Sequence, residues 1–333
     1  MRNILFITMI LLLSISRCYA QDEHAHDISE TILIVKVINE SENGTDVVGD
    51  MVTVDFYRHG KAIGHVEGQV GEDGRAVFTD APAGIHVVAV ARTKHADMAF
   101  SSHTVEVAKT DSPIHVNISA YDVLHDNSVL RIKTHHMIFK TEADSLVVTE
   151  YMQLVNPTDR AVTTDEKNAE GMPKVLSMKL PAGFSDLSIT NYFVMSALVQ
   201  TEEGFYDTMA MPPGEFQAIF SYKLPINASD IAIAKPVTMP TEEFTVFSQI
   251  GSVKIVGLEV PAEEFQTGDG SASEYFELGN VTPPKVVKFK ITGFNYSKPM
   301  QNTVIPIAIV FGVLAILVIK RQLGSKPKPA SRD

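Results

Sequence analysis

The 333 residues contain one cysteine, Cys18, and no tryptophan. The cysteine follows an apolar run from Ile4 to about Ile15, with Arg2 in front and Cys18-Tyr19-Ala20 as a small-residue ending. That is the three-part layout of a secretory signal, residues 1–20, cleaved before Gln21. A bacterial lipoprotein signal is disfavoured, because Arg17 stands where a small residue is needed. Cleavage removes the only thiol, which excludes disulfides, thiolate metal sites and thiol nucleophiles from the mature chain. The absence of tryptophan removes the usual sugar-stacking platform, leaving Tyr192, Tyr206 and Tyr275 as the aromatic candidates for glycan contact.

Catalytic signatures are missing too. The sequence has no His-Glu-x-x-His, no His-x-x-Glu-His and no Gly-x-Ser-x-Gly. A triad assembled from distant strands leaves no such mark, but no nucleophile elbow points to one. The chain is therefore expected not to be an enzyme.

A second apolar run, Thr303 to Ile319, carries no charge over 17 residues. This is the short end of the length needed to span hydrocarbon, about 17–25 residues. Lys320, Arg321, Lys326, Lys328 and Arg332 follow, a cationic tail that the positive-inside rule places in the cytoplasm. Signal first and stop-transfer last predict a single-pass membrane protein: ectodomain in the periplasm or extracellular space, helix 303–319, cytoplasmic tail 320–333. Residues 21–299 hold 39 acidic and 21 basic residues, a net charge of −18. Nucleic acid and anionic lipid surfaces are poor partners for such a surface.

Between the two apolar runs the hydrophobic period is two. Ile32-Ile34-Val35-Val37, Val52-Val54-Phe56, Ala76-Phe78, His86-Val88-Val90 and Val105-Val107 read as short strands separated by turns. Arg58-His59-Gly60-Lys61 joins two of them, and Gly71-Glu72-Asp73-Gly74 supplies positive-φ positions for a tight hairpin. These strands predict a sandwich over residues 28–120. Residues 127–296 continue the pattern with Leu146-Val148-Glu150, Tyr151-Gln153-Val155, Lys174-Leu176-Met178-Leu180, Phe216-Ala218-Phe220-Tyr222, Phe244-Val246-Phe247 and Val286-Val287-Phe289-Ile291. This second region is one large sandwich or two small ones, so the predicted class is all-β throughout the ectodomain.

Within the first region, Gly71-Glu72-Asp73-Gly74, Arg75-Ala76-Val77-Phe78-Thr79-Asp80, Ala81-Pro82-Ala83-Gly84 and Ile85-His86-Val87-Val88-Ala89-Val90-Ala91 run in the order of a known module. The stretch resembles the carboxypeptidase regulatory-like domain, a transthyretin-like, Ig-like sandwich, over about a quarter of the chain. The resemblance implies an accessory or adhesion-type module without peptidase activity. Lys94-His95-Ala96-Asp97-Met98 stands where such domains often carry a Gly-aromatic pair.

Histidine is the one chemical asymmetry, since all 11 lie between His24 and His136. His24-x-His26 flanks the mature N-terminus, and His135-His136-Met137 marks the junction between the regions. Imidazole with thioether suits copper, so His24, His26, His135, His136 and Met137 are the candidate metal ligands. Against this, adjacent strand residues such as His135 and His136 face opposite sides, and methionines in strand patterns fill cores. Six Asn-x-Ser/Thr sequons, at Asn39, Asn43, Asn117, Asn227, Asn280 and Asn295, would lie on the secreted side. The sequence thus predicts a non-enzymatic, membrane-anchored interaction module of the cell envelope with a protein or envelope partner and no cofactor. The alternative is a periplasmic copper-type metal-handling protein.

Overall fold

The computed structural model describes residues 28–142, 144–250, 252–266 and 272–294. The signal segment, His24, His26, the apolar run 303–319, the cationic tail and Asn295 lie outside them. Among the described residues the elements are strands plus two 3₁₀ turns, and no helix is long and apolar enough to cross a membrane.

The chain divides into two compact units. The first comprises the described residues up to Ile38, Val47–Lys94 and Ala99–Ser119, and the second comprises Asn39–Asp46, His95–Met98 and the chain from Ala120 on. Two loops from within the first sequence region thus belong to the second unit.

In the first unit the strands are β1 (Ser29–Asn39), β2 (Met51–Arg58), β3 (Lys61–Gln69), β4 (Arg75–Ala83), β5 (Val87–His95), β6 (Met98–Ser101), β7 (Val105–Glu106) and β8 (Ile114–Ala120), the end residues of β1, β5, β6 and β8 belonging to the second unit. They form a sheet ordered β4-β1-β8 and a second ordered β3-β2-β5-β6, with β7 on β5. One side chain in two points inward. Val52, Val54 and Phe56 are completely buried, and Leu33 and Val35 of β1 and Phe78 of β4 are buried as well. Each such side chain contributes roughly 1.5–3 kcal/mol when removed from water. The phase differs from expectation at two strands. In β1 the buried phase runs unbroken from Thr31 through Leu33 and Val35 to Val37, leaving Ile32 exposed on the other face. In β5 the buried set is Val87, Ala89 and Ala91, and His86 lies outside the strand. The Gly71–Gly74 turn closes with a 2.8 Å bond from Gly71 N–H to the Arg75 carbonyl, but it links β3 and β4 of different sheets and so is not a hairpin.

The second unit holds β9 (Val123–Leu124), β10 (Arg131–Glu142), β11 (Ser145–Asn156), β12 (Ala161–Val162), β13 (Leu176–Lys179), β14 (Ser185–Asn191), β15 (Leu198–Thr201), β16 (Gly204–Asp207), β17 (Gly214–Pro225), β18 (Asp230–Pro236), β19 (Thr241–Gln249), β20 (Lys254–Val256), β21 (Glu263–Gln266), β22 (Ala272–Val281) and β23 (Val286–Thr292). Seven strands make the main sheet, ordered β14-β17-β11-β10-β19-β22-β21, antiparallel except for β10 beside β19. Two smaller sheets, β13-β16-β15 and β18-β23-β20, share one apolar core with it. Leu146, Val148, Ala218 and Phe220 from the main sheet meet Met178, Ile233, Phe289 and Ile291 from the smaller ones. The architecture is a β-sandwich with a single core across residues that admitted either one sandwich or two.

Candidate functional site

Charge enters that core at two strand positions where alternation calls for an apolar side chain. On β11 the inward series Leu146, Val148, Glu150, Met152 places a carboxylate in the middle, fully buried. On β18 the series Ile233, Lys235 places an ammonium, 3% exposed, on the inward phase of a smaller sheet. The two meet as an ion pair, Lys235 Nζ lying 2.8 Å from Glu150 Oε1 and 2.7 Å from Oε2. Lys235 also donates to the Lys179 carbonyl at 2.9 Å. Tyr222 on β17 donates its hydroxyl to Glu150 Oε1 at 2.8 Å, and His135 Nε2 on β10 lies 2.8 Å from Oε2. Against an ionised carboxylate that imidazole nitrogen must carry the proton, so His135 is the Nε2–H tautomer with Nδ1 as an acceptor. Register explains the gathering: Glu150 pairs with Met137 on β10 and Phe220 on β17, placing His135 and Tyr222 two residues along on the same face.

Burial works against every charge here. It would raise the Glu150 carboxyl, but the Lys235 ammonium and the His135 hydrogen bond outweigh it and hold the group down to about 2. Burial lowers the Lys235 ammonium, opposed by Glu150, and lowers the His135 imidazole against the opposing hydrogen bond and charge of Glu150, with Lys235 adding to the lowering. Burial raises the Tyr222 phenol, and the Glu150 charge adds to it. The state at neutral pH is carboxylate, ammonium, neutral imidazole and neutral phenol, a net charge of zero. A cavity of about 10 Å³, room for one water, adjoins the cluster and is lined by His135, Met152, Met178, Lys235 and Thr241 among others.

A second polar knot surrounds Asp122 in the same unit. Its Oδ1 accepts from Asn39 Nδ2 at 2.9 Å and Thr45 Oγ1 at 2.6 Å, and its Oδ2 from Arg160 at 2.8 Å. His95 Nε2 lies 3.4 Å from Oδ1. Burial raises this carboxyl, but hydrogen bonds from Thr45, Asn39 and Arg160 leave it well below the usual carboxylate range. The amide of Asn39, a sequon asparagine, is committed to this network.

The five candidate ligands separate. His24 and His26 fall outside the described residues. His135 points into the core at Glu150, whereas His136 packs on the other face between Tyr151 and Phe247, ring centroids 5.5 and 5.0 Å away. Met137 returns to the His135 face, across from Glu150. Burial, followed by the neighbouring His135, pushes the His136 imidazole down to about 3. Among the described residues, no group of three or more His, Cys, Asp or Glu is arranged to hold a metal. Glu150, Lys235 and Tyr222 were not singled out by sequence. The available signal was the opposite pair of charges in the apolar phase of two strands.

No family model matches the chain, and no curated protein does. Among solved structures, the full-length major pilin SpaD from Corynebacterium diphtheriae is similar at 10% identity, over 76% of this chain and 81% of that one. The TM-score is 0.24, a level at which the likeness carries no inference.

Proposed function

We propose that the chain is a single-pass, membrane-anchored extracytoplasmic protein whose β-sandwich units act as a non-enzymatic binding module of the cell envelope. The carrying observation is the closure of the Glu150 cluster. Its four side chains are buried and spent on one another, so these charges serve the core and not a substrate. Binding then falls to the surface. Strand β3 stands at the edge of its sheet with seven of its nine residues exposed, and edge strands bind partners by strand addition. The net charge of −18 over 21–299 favours a neutral or cationic partner. The two-sheet build of the first unit supports reading it as a carboxypeptidase regulatory-like module, and the run 303–319 with its cationic tail supports the anchor.

The test is photo-crosslinking in cells from reactive residues placed at Ile63, His65 and Glu67 on β3. Adducts of one discrete mass from these positions, with the protein in the membrane fraction, would support the module. Absence of adducts from β3, or a soluble protein, would overturn it.

Copper handling is the second reading, favoured by the soft donors His135, Met152 and Met178 around one cavity. The Lys235 ammonium lining the same space weighs against a cation there. Copper(I) competition with a chromophoric chelator decides it: submicromolar binding lost in Met152→Leu/Met178→Leu supports this reading, and none excludes it.

A further inference from the structure

Two exposed imidazoles face each other at one end of the β3-β2-β5-β6 sheet. Arg58, the last residue of β2, is the cross-strand partner of Val87, the first residue of β5. The next residue outward on each strand is a histidine, His59 and His86, so the antiparallel register brings both to one place. Their ring centroids are 5.1 Å apart with planes inclined at 51°.

The backbone at both positions is unusual. His59 has φ 51° and His86 φ 62°, the left-handed region that few non-glycine residues occupy. His59 and Gly60, φ 75°, form the two-residue loop between β2 and β3, whose twist calls for two positive φ values. Asn-Gly is the usual choice for such a loop, so histidine at the first position forgoes the favoured residue. A second left-handed histidine then stands directly beside it. Packing does not account for the pair, since both residues are exposed.

The separation is informative. Two imidazoles bound to one ion at about 2.0–2.1 Å, at a near-tetrahedral angle, have ring centroids about 5 Å apart. The neighbouring cationic side chains, Arg58 and Lys61, oppose hard ions held by charge alone, such as calcium, and leave the advantage to ions with strong nitrogen bonds. We propose that His59 and His86 form a bidentate surface site for a divalent transition-metal ion, zinc or copper(II). Two protein ligands leave further coordination positions open, so the ion exchanges readily and accepts a donor from outside. The site lies wholly within the first unit and is independent of both functional readings above.

The experiment is calorimetric titration of the purified full chain in detergent with zinc and with copper(II). All forms carry His24→Ala and His26→Ala, so that the N-terminal imidazoles do not compete. His59→Asn and His86→Asn are compared singly with this parent, because asparagine tolerates the left-handed backbone and keeps the turn. Circular dichroism in chelator verifies folding. The expected result is one equivalent bound by the parent, with affinity falling at least tenfold in each single variant. Unchanged affinity in both variants, or no binding by the folded parent, would overturn the site.

Discussion

Replacing Lys235 by methionine keeps most of its length and volume but removes the partner of a fully buried charge. Glu150 is left with hydrogen bonds from Tyr222 and His135 and no countercharge. Removing one member of a buried ion pair costs about 3–5 kcal/mol. For a unit of this size each kcal/mol moves the melting temperature by about 2–4 °C, so the second unit should melt about 6–20 °C lower. Scanning calorimetry reads the change, and hydrogen exchange on peptides from β10 and β11 assigns the transition to the second unit. Glu150→Gln with Lys235→Met completes a double-mutant cycle, in which removing both charges together should recover roughly 2–3 kcal/mol relative to additivity. A loss below about 1 kcal/mol in Lys235→Met, or strict additivity in the cycle, would refute the reasoning, because the two charges would not then be stabilising one another in the core.

Other expectations follow from the same electrostatics. His136 titrates near 6.5 when unfolded and about 3 when folded. Its stabilising contribution is therefore complete above pH 6.5 and is lost as the pH falls toward 3, amounting to about 2 kcal/mol by pH 5. His136→Phe should flatten that part of the stability–pH profile in urea melts, since its contacts are the Tyr151 and Phe247 rings; an unchanged slope would contradict it. Glu150 acts at lower pH: its folded value of about 2 against 4.5 makes its contribution complete above pH 4.5 and lost below, with Glu150→Gln removing that dependence. Asp122→Asn withdraws a charged acceptor from Thr45, Asn39 and Arg160 and should cost about 1–3 kcal/mol. Faster hydrogen exchange in 39–46 would mark it, and unchanged protection would count against it.

The parts of this fold that the sequence made legible are those where polar and apolar residues alternate cleanly. Val52-Val54-Phe56 and Leu176-Met178-Leu180 show their buried phase directly, all six lying in the core. In β1 nearly every residue from Thr31 to Ile38 is apolar, so period two alone cannot choose a face; the packing of the two sheets puts Leu33, Val35 and Val37 inward. In β5 small alanines occupy the inward phase, and the larger Val88 and Val90 mark the other face. The ionic cluster was hidden for a related reason. Glu150 and Lys235 lie 85 residues apart on strands of different sheets, and only the stacking of those sheets makes them neighbours. His59 and His86 were legible only as a turn residue and a strand residue, because their meeting depends on which strand pairs with β2.

The central claim, a surface module whose reactive interior is closed, is tested most directly by crosslinking in cells from β3. Reactive residues at Ile63, His65 and Glu67 should give a membrane-associated adduct of one discrete mass, and a reactive residue at the buried Val148 should give none. Adducts from Val148, or no adduct from any β3 position, would contradict it.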